Sequence, residues 1–212
     1  LDEKVGAGAR TYLDSRGIGK EIAERFGLGF APDEWGALRE AAASHGLDEK
    51  TMLEAGLIKN KEGKGETYDR FRARIIFPID AVSGKVIAFG GRVLEQGSKK
   101  APKYLNSPET PIYHKGHNLY GLSGAKHAIR REERALVVEG YMDVVSLAAH
   151  EFDNVVAPLG TSVTPEQAKL LSRYCKRVLI LFDSDPAGLK ATFRAGDTFL
   201  AAGLHPAVVT LP

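Results

Sequence analysis

Four carboxylates in the last third of the chain have the residue types and spacing of a cation site. Glu139 follows the apolar run 135–138, Asp183 and Asp185 follow the run 178–182, and Asp143 lies one helical turn behind Glu139. No lysine or arginine lies between 139 and 168 to neutralise them. Hard divalent cations take carboxylate oxygens, and Mg²⁺ typically uses one or two of them together with waters and substrate phosphates. The expected ligand is therefore Mg²⁺ or Mn²⁺. An Asp-x-Asp pair alone is a weak signal, more often a turn or a helix cap. Glu139-Gly140 closing one apolar run and Asp183-Ser184-Asp185 closing another is a more specific pattern. Thr161, Ser162 and Ser184 have no histidine beside them, since His150 and His205 fall at helix-end or loop positions, so an acyl-transfer triad is not expected. Metal-assisted phosphoryl transfer remains, in which positioning and charge neutralisation dominate and the substrate supplies the attacking oxygen. The turn Glu139-Gly140-Tyr141 puts an acid where a dinucleotide-binding fold needs glycine-rich backbone, which excludes that reading.

The elements that position these acids follow from periodicity. Apolar runs 135–138, 155–159, 178–182 and 207–211 alternate with helical stretches at 141–151, 165–175 and 187–202. Short unbroken runs of Val, Ile and Leu suit strands buried on both faces, and this alternation predicts a parallel α/β sheet. Ligands of such sheets bind beyond the carboxyl ends of the strands, where the acids fall. Thr164-Pro165-Glu166 supplies an N-cap, a proline at the first helical position and an acid in the first turn. Ahead of this unit the pattern differs. The first seventy residues read as short helices, among them 20–26 and 35–43, punctuated by Gly27, Gly29 and Pro32. The segments 74–80 and 85–94, joined by Ser83-Gly84, read as a β-hairpin, and 102–118 reads as polar, proline-bearing chain without long regular structure. A long ordered loop of that kind is more often functional than not. The expected fold is an N-terminal α+β part over 1–134 and an α/β part over 135–212.

Composition bounds what such a molecule can do. With 43% hydrophobic and 26% charged residues the chain is globular, and no apolar run approaches the roughly 18 to 20 residues that span a bilayer. The single cysteine, Cys175, excludes an internal disulfide and a Cys-rich zinc site, and fits a reducing, cytoplasmic setting. The chain begins at Leu1 and stops at Leu211-Pro212 directly after an apolar run, as expected of a piece of something longer. Residues 1–134 hold 23 basic and 19 acidic side chains against 6 and 8 in 135–212, so the two parts differ in sign. Within 70–130 the count is 11 basic to 3 acidic, interleaved with Phe71, Phe77, Phe89, Tyr104, Tyr113 and Tyr120. Such a stretch suits a nucleic-acid backbone and unstacked bases, or equally a solvated face over an aromatic core.

Glu139-Gly140-Tyr141-Met142-Asp143 followed by Asp183-Ser184-Asp185-Pro186-Ala187-Gly188 resembles a Toprim domain, the metal-binding module shared by bacterial primases, type IA and II topoisomerases and some nucleases. The segments Arg70-Phe71-Arg72-Ala73-Arg74, Phe89-Gly90-Gly91-Arg92-Val93, Ala101-Pro102-Lys103-Tyr104-Leu105-Asn106-Ser107-Pro108-Glu109-Thr110 and His114-Lys115-Gly116 resemble the basic region of bacterial replicative primases of the DnaG family. The resemblance covers essentially the whole chain. It implies an RNA polymerase core that makes RNA primers on single-stranded DNA from ribonucleoside triphosphates, with template and nucleotide held between the basic part and Toprim. It further implies Glu139 as central catalytic acid, Asp183 and Asp185 as catalytic metal ligands with Asp143 near them, Lys103, Tyr104, Asn106 and Lys115 on nucleotide and template, and Arg72, Arg74 and Arg92 facing the same ligands. A zinc ribbon, a helicase-binding domain and a further acidic motif are expected outside these residues, and reduced activity with them. Cleavage by a Toprim nuclease or topoisomerase-like enzyme, and metal-dependent binding of single-stranded DNA without catalysis, are the competing readings.

Overall fold

The structure, a computed structural model, describes residues 1, 4–61, 63, 65–94, 102–160 and 162–209. Ala101, Thr161, and Thr210 onward in the last apolar run lie outside the described residues. The chain divides into two compact units, Leu1–Ile79 with Ile87–Tyr113, and Asp80–Val86 with His114–Pro212.

The first unit begins with two short helices, α1 (Ala7–Ser15) and α2 (Lys20–Arg25), followed by strand β1 (Gly29–Ala31). Ala9 and Leu13, four residues apart, are the buried face of α1. A helical pair, α3 (Ala37–Ser44) and α4 (Glu49–Glu54), leads to a two-stranded ribbon of β2 (Ile58–Asn60) and β3 (Thr67–Asp69). Asp48 caps α4 by accepting from Thr51 N at 2.7 Å, and Met52 on its inner face packs with Ala42 and Ile58. The expected hairpin is β4 (Arg74–Asp80) and β5 (Val86–Val93), set in a sheet of order β1-β4-β5-β6 with β6 (Tyr104–Asn106). Ile75, Phe77 and Ile79 alternate inward along β4, the period of two that a half-buried strand requires. Gly91 is needed in β5, because a Cβ there would lie 2.8 Å from Phe71 Cδ1.

The second unit is a five-stranded sheet with β7 (Leu119–Tyr120), β8 (Arg134–Val138), β9 (Val155–Pro158), β10 (Arg177–Leu181) and β11 (His205–Val208). The spatial order is β11-β10-β8-β9-β7. The four later strands run parallel, as expected, and β7 adds an antiparallel edge on β9. Helices α5 (Leu122–Glu132), α6 (Tyr141–Ala149), α7 (Pro165–Leu171) and α8 (Pro186–Ala201) connect them. Ala135 to Val138 and every residue of β9 are buried, which is why those runs carry no polar alternation. β11 begins two residues before the apolar run read from sequence; it pairs only with β10, and an edge strand admits Pro206. Helix α5 was not apparent in the sequence reading, yet Leu122, Ala125, Ala128 and Ile129 give it one buried face. β7 and α5 fall on the second sheet although they precede residue 135, because β7 pairs with β9. Among the described residues, no helix is long and apolar enough to cross a membrane.

Candidate metal centre and nucleic-acid interface

The acids sit where parallel strands end. β8 and β10 are adjacent and in register from Arg134 and Arg177 to Val138 and Leu181, so the turns that follow them emerge side by side. Asp183 N donates to Glu139 Oε1 at 2.9 Å, joining the two turns directly. Gly188 makes that approach possible. An added Cβ there would sit 2.1 Å from Asp183 O and 3.0 Å from Glu139 Oε1. Asp185 is the N-cap of α8, its Oδ1 accepting from Gly188 N at 2.7 Å, and Pro186 fills the first helical position. Asp143, in the first turn of α6, accepts from Gly140 N at 3.0 Å. Thr192 Oγ1, buried in α8, donates to Gly188 O at 2.9 Å and holds the turn from below.

Glu139 is half-buried whereas Asp183 and Asp185 are exposed. Loss of hydration raises the Glu139 pKa above the ordinary carboxylate value, and the negative charges of Asp183, Asp143 and Asp185 raise it further, against the Asp183 N–H bond that lowers it. The convergence of charge is thus present. Among the described residues, however, no three His, Cys, Asp or Glu side chains stand close enough to hold one metal ion. Three of these carboxylates are instead turned onto backbone N–H groups, Glu139 onto the neighbouring turn and Asp143 and Asp185 onto their own. A hard divalent cation that keeps waters and takes one or two carboxylates fits this donor set, whereas a closed protein cage does not.

The basic residues divide by placement. Lys103 and Tyr104 are exposed at the start of β6, with Lys103 Nζ 5.9 Å from the Tyr104 ring centroid. The carbonyl of Asn106 accepts from Arg70 Nε and Nη2 at 3.2 and 2.8 Å, which fixes the backbone of that short strand. Arg92 is largely buried, stacked 4.1 Å from the Tyr12 ring centroid. Arg74 is placed differently from the sequence expectation. It is 5% exposed, and its guanidinium donates to the carbonyls of Gly91, Lys103 and Pro102 at 3.0, 3.3 and 2.9 Å. Burial, and then the charge of Arg72, lowers its pKa from the usual guanidinium value. It is a brace for the 102–103 backbone rather than a group facing solvent.

Two features were missed from sequence. Arg72 lies 3.9 Å over the ring of Trp35, which is 65% exposed and meets Tyr68 edge-on at 5.5 Å. Buried Asp69 fixes this group: its N–H donates to Trp35 O, its carbonyl accepts from Arg72 Nη1, and its carboxylate caps α3 through Leu38 N and Arg39 N at 2.7 and 3.1 Å. An exposed aromatic with a cation on its face can stack an unpaired base, but 37 residues separate Trp35 from Arg72, so no local pattern links them. The second is Gln167, nearly fully buried in α7. It completes a capping box with Thr164 and donates through Nε2 to the carbonyls of Lys115 and Asn118 at 3.0 and 2.8 Å. Thr164 Oγ1 donates to Gly116 O. Together they hold the Lys115-Gly116 segment against the start of α7. The Thr-x-x-Gln spacing was a legible signal for the cap, though not for its second role.

Comparison with known proteins follows the same division. Residues 136–212 match the Toprim-like family, the class that the parallel sheet and its strand-end acids define. Residues 1–126, more than half of the sequence, match the family described as DNA primase catalytic core, N-terminal domain, and the chain belongs to that family. It is 48% identical over 207 residues to the DNA primase of Halalkalibacterium halodurans, covering 98% of this chain and 34% of that protein. It is likewise similar to the crystal structure of the Aquifex aeolicus primase zinc-binding and RNA polymerase domains, with a TM-score of 0.90 at 42% identity over 97% of this chain and 50% of that one. A third similarity is to a DnaG primase catalytic domain bound to single-stranded DNA, with a TM-score of 0.87 at 41% identity over 100% of this chain and 66% of that one. The chain thus spans about a third of the length of the curated relative.

Proposed function

We propose that this chain is part of a primase core that joins ribonucleoside triphosphates into RNA primers on a single-stranded DNA template. The observation that carries the reading is the Asp183-to-Gly188 turn bonded onto Glu139, with burial and then three further carboxylate charges raising the Glu139 pKa, in a chain of the DNA primase catalytic core family. Such a site favours a cation. Glu139, Asp183 and Asp185 are the proposed holders of Mg²⁺ or Mn²⁺, with Asp143 behind them. A bound ion would neutralise charge on the phosphates while the primer's 3′ hydroxyl displaces pyrophosphate from the α-phosphate of the incoming nucleotide. The chain's own acids orient that ion, and the Asp183 N–H keeps Glu139 aimed at the neighbouring turn.

On this reading the functional division falls near residue 134. Lys103, Tyr104, Asn106 and Lys115 serve nucleotide and template phosphates, Arg72 presents Trp35 to unpaired bases, and Arg92 supports the same surface. Arg74 contributes by bracing Lys103. Contact with a replicative helicase belongs to the longer primases' remaining length, and the setting is cytoplasmic. Incubating single-stranded DNA with labelled ribonucleotides and Mg²⁺ or Mn²⁺ tests the proposal against its rivals. Short RNA products are expected. Cleaved template would assign the chain to the Toprim nucleases, and retention of DNA without any product would reduce it to a binding module.

A further inference from the structure

The opposite edge of the parallel sheet carries a predominantly cationic surface. At the amino ends of the strands, Arg177 of β10 stands in register with Arg134 of β8 on one side and His205 of β11 on the other. Adjacent strands lie about 4.8 Å apart, and like charges held at that spacing cost stability unless something relieves them. Between residues 167 and 182 there are four basic side chains and no acid. Arg130, Arg173, Lys176 and Arg177 line a concave site of about 400 Å³ there, with Glu133 as its acid. Glu132 is engaged elsewhere, shared between Arg131 and Arg134 at 3.5 and 3.7 Å. Among the described residues, the four lining cations make no salt bridge.

We infer that this edge is a second nucleic-acid contact, one that takes the phosphodiester backbone of a strand without reading its bases. The residue types favour phosphate, since three guanidinium forks and an ammonium converge on one concavity. Past the concavity, Arg177 is flanked on the neighbouring strands by Arg134, which shares Glu132, and by His205, so the polar edge extends beyond a single anion's reach. Among the described residues, the lining of the concavity offers no open aromatic face. The ring of Tyr174 is covered by Arg130, whose Cζ lies 4.9 Å from the ring centroid, so a nucleobase has no platform. Cys175, also in the lining, is buried with its thiol pKa pushed up to about 11, and offers no competing chemistry. The five residues of β10 put this edge about 17 Å from the Asp183 turn, too far for one phosphate to touch both.

The experiment is a salt titration of the 212-residue chain binding a single-stranded thymidine oligonucleotide, comparing the parent with an Arg173→Ala/Arg177→Ala double variant and an Arg173→Lys/Arg177→Lys control. Each lost phosphate contact removes about 0.7 from the slope of log K against log salt for a single strand. The alanine pair should therefore be shallower by about 1.4 and weaker by roughly tenfold at low salt, while the lysine pair keeps most of both. The loss should persist in a Lys103→Ala background, so it is separable from the basic-loop contacts proposed above. An unchanged slope in the alanine pair overturns the inference, and so does equal weakening in the lysine pair, which would indicate a structural role. A loss of adenosine triphosphate binding with oligonucleotide binding intact overturns the backbone assignment. Should the alanine pair fail to fold by circular dichroism, Arg130→Gln/Lys176→Gln carries the same test.

Discussion

At the scale of single residues, burial separates side chains that a sequence presents as alike. Arg74 and Lys103 both belong to the basic stretch, yet Arg74 satisfies three carbonyls from inside the fold while Lys103 is exposed. Arg74→Ala should cost roughly 2–4 kcal/mol in urea denaturation, because it empties a buried site and strips the donor from one buried and two part-buried carbonyls. Lys103→Ala should change stability by less than about 0.5 kcal/mol and weaken oligonucleotide binding at low salt; the reverse ranking would refute the assignment. Glu139 adds a pH dependence. Its pKa is raised in the folded state, first by desolvation and then by its acidic neighbours, so the native protein holds this proton more tightly than the unfolded chain. The stability it contributes is full below the ordinary carboxylate pKa and is lost as pH rises through the raised value. Glu139→Gln removes that loss, since an amide oxygen still accepts from Asp183 N–H. In metal-free buffer the variant should melt higher than the parent at pH 7, with the gap closing toward pH 4. A variant no more stable at pH 7 would mean that neither burial nor the acidic neighbours disfavour the Glu139 carboxylate.

At the scale of elements, what the sequence made legible was whatever rests on local periodicity. The hairpin and the four parallel strands follow from period-two or unbroken apolar runs, the acids from the ends of those runs, and the helices from the helical stretches between them. Helix α5 escaped because Lys126, Arg130 and Arg131 dominate its composition, although its buried positions are spaced for one face. The turns were legible as motifs but not as mechanics. Gly188 stands in the quoted motif, yet its necessity comes from a carbonyl five residues back that only the folded turn brings near. Gly188→Ala should therefore displace the Asp183 turn, loosen α8 by a few kcal/mol through lost packing and capping, and weaken cation binding as much as loss of an acid does. A native melting temperature with undiminished Mn²⁺ affinity would contradict this. Gln167→Ala presents the complementary case, leaving the Lys115 and Asn118 carbonyls without their donor. Proteolysis within residues 114–118 should accelerate while the sheet keeps its circular dichroism, and unaltered cutting there would show that the cap alone matters.

At the scale of the molecule, charge is arranged by sign along the chain: basic and aromatic ahead of residue 134, acidic at the strand ends after it, and basic again on the far edge of the sheet. The sign change was countable from composition. Which cations serve a ligand was not, because Arg72 on Trp35, Arg92 on Tyr12 and Arg74 among carbonyls depend on contacts over tens of residues. The proposed chemistry requires the strand-end carboxylates to be the seat of a divalent cation. Titrating the parent, Glu139→Gln and Asp183→Asn with Mn²⁺, followed by electron paramagnetic resonance of the free ion, tests that claim most directly. The parent should bind with both variants weakened by at least about tenfold, near 1.4 kcal/mol, while circular dichroism shows each still folded. Equal Mn²⁺ binding by all three would contradict the account and leave these acids as caps of their own turns.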